Sequence, residues 1–404
     1  MKGLFSFLIL FVLTGFGEFE LYTQKTENTT EELRIRGGLP NFFSKLKSGK
    51  KVKIAYLGGS ITHQEGWRPK TFSWFQKQYP KARFEMINAA VPGTGADFAN
   101  CRLKDDLLNK NPDLVFVEFR VNGSSGFGVK AHEGIVRQIW EHNPNTDICF
   151  VYTVGKNMIS NLRNGLQYGE GKKMEKTAIH YNIPSIDFGM EVVRQLDNGN
   201  YAFNKSSVKN GQKVFCRDNV HPTQDGYEIY KEVIARSMIA LEDQGKMTRH
   251  KLSKPLDENY FKEAQLLSVH KAELSNGWKP VKVKKDPAYT DDEFRTSKML
   301  GAAVKCDKVG KTISIDWTGT HIAFTAIPIV EGFEVEVQID GGKPKKYAFH
   351  QKAPKNKNRP APKFSRSFYS PEQKPGNHTA ILKVVKLAKG TSFYCGQFWV
   401  IDTH

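Results

Sequence analysis

At 404 residues, and at roughly 150 residues per domain, the chain has room for two or three domains and a sizeable hydrophobic core. Its composition, 39% hydrophobic, 12% aromatic and 25% charged, excludes wholesale disorder, a collagen-like repeat and a polytopic membrane protein; five cysteines over this length exclude a disulfide-stapled miniature scaffold. Sixty Lys and Arg against 42 Asp and Glu leave a formal +18, an excess that suits a polyanionic neighbour: nucleic acid, an anionic surface or an acidic polysaccharide.

The chain opens with Lys2 and an uncharged apolar run from Leu4 to Leu13, followed by Gly15 and Gly17. The run is shorter than the ~20 residues a membrane-spanning helix needs. A positive start, a short apolar stretch and small residues after it read as a secretory signal peptide over residues 1–17. The expected location is secreted or periplasmic, with no stable membrane insertion after the signal is removed, and export argues against a nucleic-acid partner. Cys101, Cys149, Cys216, Cys306 and Cys395 fit no zinc spacing, and an odd count leaves at least one free thiol. Cys306 and Cys395 are candidates to pair in an oxidising compartment; Cys101 and Cys149 read equally as buried small hydrophobes.

From Lys51 to about Glu242, short apolar runs alternate with helical patterns. Strands are expected at Val52–Leu57, Arg83–Asn88, Asp113–Phe119, Asp147–Val154 and Pro184–Phe188, and helices at Gly66–Gln78, Asp97–Asn109, Lys130–His142, Gly171–Tyr181 and Gln224–Leu241. Continuous apolar strands separated by helices imply a mostly parallel sheet covered on both faces, a three-layer α/β/α domain over residues 36–247. In such a domain functional residues gather at the carboxyl ends of the strands. Residues 248–290 form a Lys-rich stretch of weak periodicity, expected as a linker. Beyond it, Thr312–Trp317, Ile322–Ile329, Glu334–Ile339, Thr379–Val385 and Phe393–Ile401 read as strands of an antiparallel β-sandwich over residues 291–404. Ten of the eighteen net positive charges lie between Lys251 and His404, which hold 26 basic and 16 acidic residues. Within that part, Lys343 to Arg366 carries nine basic residues and no acidic one, readable as a solvated loop or as a basic lip for an anionic polymer.

Four segments fall at expected strand ends. Gly58-Gly59-Ser60 turns out of the first strand with the hydroxyl exposed. Gly93 lies in the loop after the second, where a bare backbone N–H can meet a ligand. Asn122 follows the third. Asp218-Asn-Val-His221-Pro222 precedes the last long helix, and Pro222 stiffens the histidine position. A serine hydroxyl needs a base, and the base needs an orienting acceptor. Ser60, His221 and Asp218 supply these three types, while the N–H groups of Ser60 and Gly93 and the Asn122 amide supply donors for an oxyanion. Together they compose an acyl-transfer site. Arg120, two residues before Asn122, and Arg68 are further candidates for substrate contact; His132 and Glu133 read as the start of an exposed helix. No His, Asp or Glu grouping has metal-ligand spacing, so neither a metal nor another cofactor is expected.

These segments resemble the blocks of the SGNH (GDSL-like) hydrolase superfamily, over about residues 50–243. The resemblance implies a flavodoxin-like α/β/α fold with Ser60 as nucleophile, His221 as base, Asp218 as its partner, and Gly93 and Asn122 in the oxyanion hole. Two departures stand out: Gly-Gly-Ser-Ile replaces Gly-Asp-Ser-Leu, and Gly123 follows Asn122 where many members carry Asp. The first suits a subgroup continuing Ser-Ile-Thr and then Gly-Trp-Arg, here Gly66-Trp67-Arg68. The C-terminal strands and the closing Phe393–Ile401 segment resemble the jelly-roll modules of some secreted carbohydrate esterases. The expectation is a secreted serine esterase that removes small acyl groups, chiefly acetyl, from a polysaccharide or its fragments, with an acidic glycan suggested by charge. A lipid esterase or thioesterase of the same superfamily and a non-catalytic glycan-binding protein are the alternatives.

Overall fold

The computed structural model describes residues 27–209, 211–281, 293–350 and 365–404. The signal-peptide segment lies outside these residues. The chain divides into two compact units, the first comprising residues up to Asp257 apart from Asn100–Arg102, and the second Glu258–His404 together with Asn100–Arg102.

The first unit is built on a six-stranded sheet. Its strands are β1 (Leu33–Arg34), β2 (Lys51–Gly58), β3 (Arg83–Asn88), β4 (Leu114–Glu118), β5 (Asp147–Tyr152) and β6 (Ser185–Asp187), in the spatial order β1-β6-β5-β4-β2-β3. Strands β2 to β6 run parallel, and β1 adds an antiparallel edge on β6. Alternation along the strands explains the layering. Val52, Ile54 and Tyr56 face a core shared with the helices Pro40–Lys47, Trp67–Gln78, Phe188–Asp197 and Gln224–Leu241. Ala55 and Leu57, pointing the other way, are equally buried, on the face covered by the helices Ala96–Asp106, Val129–His142 and Glu170–His180. This is the α/β/α fold the sequence predicts. After β3 at one edge the chain returns past β2 to form β4, so the reversal of strand order lies between β2 and β4, the position where open α/β sheets bind ligands. A two-stranded parallel pair, β7 (Tyr201–Asn204) and β8 (Lys213–Cys216), precedes the histidine segment.

The second unit is a β-sandwich. One sheet orders β10 (Glu273–Leu274), β13 (Thr312–Thr318), β18 (Asn377–Leu387), β15 (Phe333–Ile339) and β16 (Lys345–Phe349) as β10-β13-β18-β15-β16. The other orders β11 (Lys279–Pro280), β12 (Val304–Cys306), β19 (Phe393–Cys395), β14 (His321–Ala326), β20 (Phe398–Asp402) and β9 (Glu263–Leu267) as β11-β12-β19-β14-β20-β9, with β17 (Arg366–Tyr369) on β14. Ile313, Ile315, Val335, Leu382 and Val384 of one sheet share a core with Ile322, Phe324, Phe393, Phe398 and Val400 of the other.

Three expectations are corrected. Residues 248–281 of the expected linker are not one: His250 stacks on Trp140 with ring centroids 4.5 Å apart and bonds Asp147, while β9, β10 and β11 belong to the sandwich; residues 282–290 lie outside those described. Short strands with few residues per face carry too little alternation to be seen in sequence. The α/β unit also begins ahead of residue 36, because β1 pairs with β6. Cys306 and Cys395 do not pair; all five cysteines are free and buried, and the register sets Cys306 opposite Phe393. Of the basic segment, Lys345–Phe349 forms an edge strand, and residues 351–364 lie outside those described.

Candidate active site

Strand β2 delivers the serine. The chain leaves Gly58, turns at Gly59, and Ser60 opens the four-residue helix Ser60–His63. Position 59 has no room for a side chain, because a Cβ there would sit 2.0 Å from Asn122 Oδ1. The absence of a Cβ is what lets the serine turn and the asparagine meet. The loops after β3 and β4 close on the same spot: Val91 N–H donates to Gly58 O (3.0 Å), and Ala96 N–H donates to Gly123 O (2.9 Å). Between them Gly93 adopts φ 64°, a left-handed conformation natural to glycine. Asn122 Oδ1 is buried with no hydrogen-bond partner among the described residues.

The histidine comes from a loop folded on itself. Past β8, Arg217 N–H donates to His221 O (2.9 Å), closing the loop at its neck. Inside it, Asp218 Oδ1 accepts the Val220 and His221 N–H groups at 2.7 and 2.8 Å, and Oδ2 faces His221 Nδ1 at 2.8 Å. The other ring nitrogen, Nε2, lies 2.8 Å from Ser60 Oγ, across 161 positions of sequence. Thr223 then caps the helix Gln224–Leu241 by accepting Gly226 N–H. Burial by itself would raise the Asp218 pKa, but the His221 ring and the two backbone N–H groups outweigh it and hold the carboxyl well below the usual carboxylate range. Asp218 therefore stays an anion that can fix the imidazole with Nδ1–H toward itself and Nε2 free to accept from Ser60. This arrangement can take a proton from a serine hydroxyl as it attacks a carbonyl carbon.

Beneath the serine turn sits a residue that sequence reasoning passed over. Glu118, the last residue of β4, is fully buried; its carboxyl accepts Thr62 Oγ1 (2.9 Å), Thr153 Oγ1 (2.6 Å) and the Gly59 N–H. Burial dominates these bonds and pushes its pKa up. A charge inside the apolar run Val115–Phe119 was the available signal, since a buried carboxyl is stable only among donors.

The arginine candidates do something else. Arg120 is buried and spends its guanidinium inside the protein: on both Asp187 oxygens (2.5 and 2.7 Å), on Gln167 (3.0 Å) and on the Tyr152 and Thr153 carbonyls. Arg68 is buried too, held by the Thr62 and His63 carbonyls and by Glu65 (2.5 Å). Neither is a substrate contact; both fasten strand ends and loops. His132 and Glu133 are likewise buried rather than at an exposed helix start, His132 paired with Glu170 at 2.8 Å. Among the described residues no group of three or more His, Cys, Asp or Glu could hold a metal ion, and no helix is long and apolar enough to cross a membrane.

The chain is similar in structure to a two-domain esterase active on acetylated mannans. With that esterase co-crystallized with mannopentaose, the TM-score is 0.73 at 19% identity, covering 92% of this chain and 97% of that one. With a second structure of a two-domain esterase active on acetylated mannans, the TM-score is 0.74 at 19% identity, covering 92% and 98%. The two-domain fold, an α/β/α unit followed by a β-sandwich, is therefore shared along nearly the whole chain. No protein-family model matches the sequence, and no curated protein does.

Proposed function

We propose that this protein is a carbohydrate esterase of the SGNH type, exported from the cell, that removes acetyl or similarly small acyl groups from a polysaccharide or its fragments. The observation that carries this reading is the unbroken chain from Ser60 Oγ through His221 to Asp218, 2.8 Å at each link, at the reversal point of a sheet. The fold it sits in is shared with an esterase active on acetylated mannans, which supports a carbohydrate substrate.

In this mechanism Ser60 Oγ attacks the ester carbonyl as His221 Nε2 takes its proton, and Asp218 stabilises the imidazolium. The oxyanion is met by the N–H groups of Ser60 and Gly93 and by the Asn122 amide, each donor worth about 3–4 kcal/mol in the transition state. The imidazolium returns the proton to the leaving sugar oxygen, and water, activated by the same base, releases the acid. The test compares the protein with Ser60→Ala on p-nitrophenyl acetate, on a long-chain ester and on acetylated mannan and xylan. Serine-dependent release of acetate with little long-chain activity supports the reading. Equal rates in both proteins would sink it.

A further inference from the structure

Among the grooves of the α/β unit that the reaction outlined above does not use, one adjoins the candidate site. The helices Trp67–Gln78 and Gln224–Leu241 pack side by side and present matching rows: Lys70, Trp74 and Lys77 on one, Gln224, Glu228 and Lys231 on the other. With Glu65 these residues line a groove of about 620 Å³. Its near end is tied to the candidate site. The Gln224 amide donates to Glu65 O (3.1 Å), and Gln64 Oε1 accepts from Arg217, the neighbour of Asp218, at 2.5 Å and from the Tyr227 hydroxyl at 2.8 Å. The loop leaving the Ser60 helix thus forms the first wall of the groove.

The groove is polar with a small positive excess: its three lysines face two carboxylates, Glu228 shared by Lys70 and Lys231 and Glu65 paired with Arg68. Trp74 is partly exposed, and edge-on contacts with Phe75 and Tyr79, centroids 5.0 and 6.3 Å away, fix its plane. Its indole N–H has no partner among the described residues. A sugar ring has an apolar C–H face and a rim of hydroxyls, so it pairs with a fixed aromatic face beside amide and carboxylate acceptors. Trp74 lies seven residues beyond Trp67, about 10 Å along the helix axis from the end that follows the Ser60 loop.

We propose that this groove is a subsite for a neutral polysaccharide chain, with Trp74 as the platform for a sugar ring remote from the ester. It rests on the esterase reading and names what lies beyond the acylated unit. Two measurements keep the two ideas apart. Binding of mannohexaose and xylohexaose to the Ser60→Ala protein, read by calorimetry, involves no turnover. At least one hexaose is expected to bind, with Kd about tenfold weaker when Trp74→Ala is added and largely restored by Trp74→Phe. In the active enzyme, the ratio of kcat/KM for the acetylated hexaose to that for p-nitrophenyl acetate is expected to fall about tenfold in Trp74→Ala. A loss equal on both substrates, no Trp74 dependence of binding, or tighter binding of an oligogalacturonate than of either neutral hexaose overturns the subsite. Trp74-dependent binding without serine-dependent hydrolysis overturns the esterase reading and leaves the subsite standing.

Discussion

The side-chain amide of Asn122 occupies the space that a Cβ on residue 59 would need, with Oδ1 2.0 Å and Nδ2 2.8 Å from that position. Contacts this short cannot be absorbed in place, so Gly59→Ala must push Asn122 away or tilt Ser60. On the mechanism proposed above, either movement takes a donor from the oxyanion, and kcat on p-nitrophenyl acetate should fall on the order of 10²-fold. Asn122→Ala should fall by a similar factor and keep its melting temperature better. A Gly59→Ala enzyme with near-native kcat would show that this amide plays no part in turnover.

Asp218→Asn retains a carbonyl oxygen for the Val220 and His221 N–H groups but can no longer favour Nδ1–H on the imidazole. A drop of about 10⁴ in kcat is expected with little change in the folded structure. Circular dichroism and p-nitrophenyl acetate kinetics read the two effects separately. A loss below tenfold would remove Asp218 from the mechanism.

Breaking the pair between Arg120 and Asp187 should act on folding rather than on substrate binding. Arg120→Ala leaves a buried carboxylate against Thr30 and the Gly189 N–H alone, a change expected to cost about 3–5 kcal/mol. Urea unfolding measures it. A raised KM at unchanged stability would return Arg120 to the list of substrate contacts.

Two carboxyls, the half-buried Glu170 and the fully buried Glu118, give the stability opposite pH dependences. Glu170 is held at about 2: burial would raise it, but the hydrogen bond and charge of His132, the Ser124 hydroxyl and Lys173 outweigh that effect. Its contribution is present above the ordinary value of 4.5 and is lost as pH falls from there toward 2. Glu118 is raised by burial above its ordinary 4.5, so its contribution is full below that value and fades as pH climbs through the folded one. Unfolding midpoints across pH should therefore lose their acid fall in part in Glu170→Gln, and should flatten above pH 4.5 in Glu118→Gln. Parallel curves for either variant and the native protein would remove that carboxyl from the account.

The same contrast explains what the sequence made legible. The five parallel strands and the helices flanking them stand where apolar runs and helical periodicity put them, because both patterns report burial directly. The helix Phe188–Asp197 escaped notice because it follows β6 without a gap, Asp187 serving as strand end and cap at once. Strand β1 has two residues and no pattern to read. At the site, Ser60, Asp218 and His221 declared themselves by residue type and by loop position. Arg120 misled for a physical reason: an arginine at a strand end looks the same in sequence whether its partner is a ligand or a buried aspartate. Asp187, that partner, lies 67 residues away.

The loop from Cys216 to Pro222 holds His221 and Asp218 on the same few residues, tied by their own backbone. Ser60, by contrast, reaches them only when the whole sheet is assembled. The imidazole meets its carboxylate three residues away, whereas Ser60 lies 161 positions off, so loop closure favours the first contact. A ring-proton signal from that histidine would precede the first turnover, which makes recovery of catalysis a clock for completion of the β2 docking rather than for the loop itself.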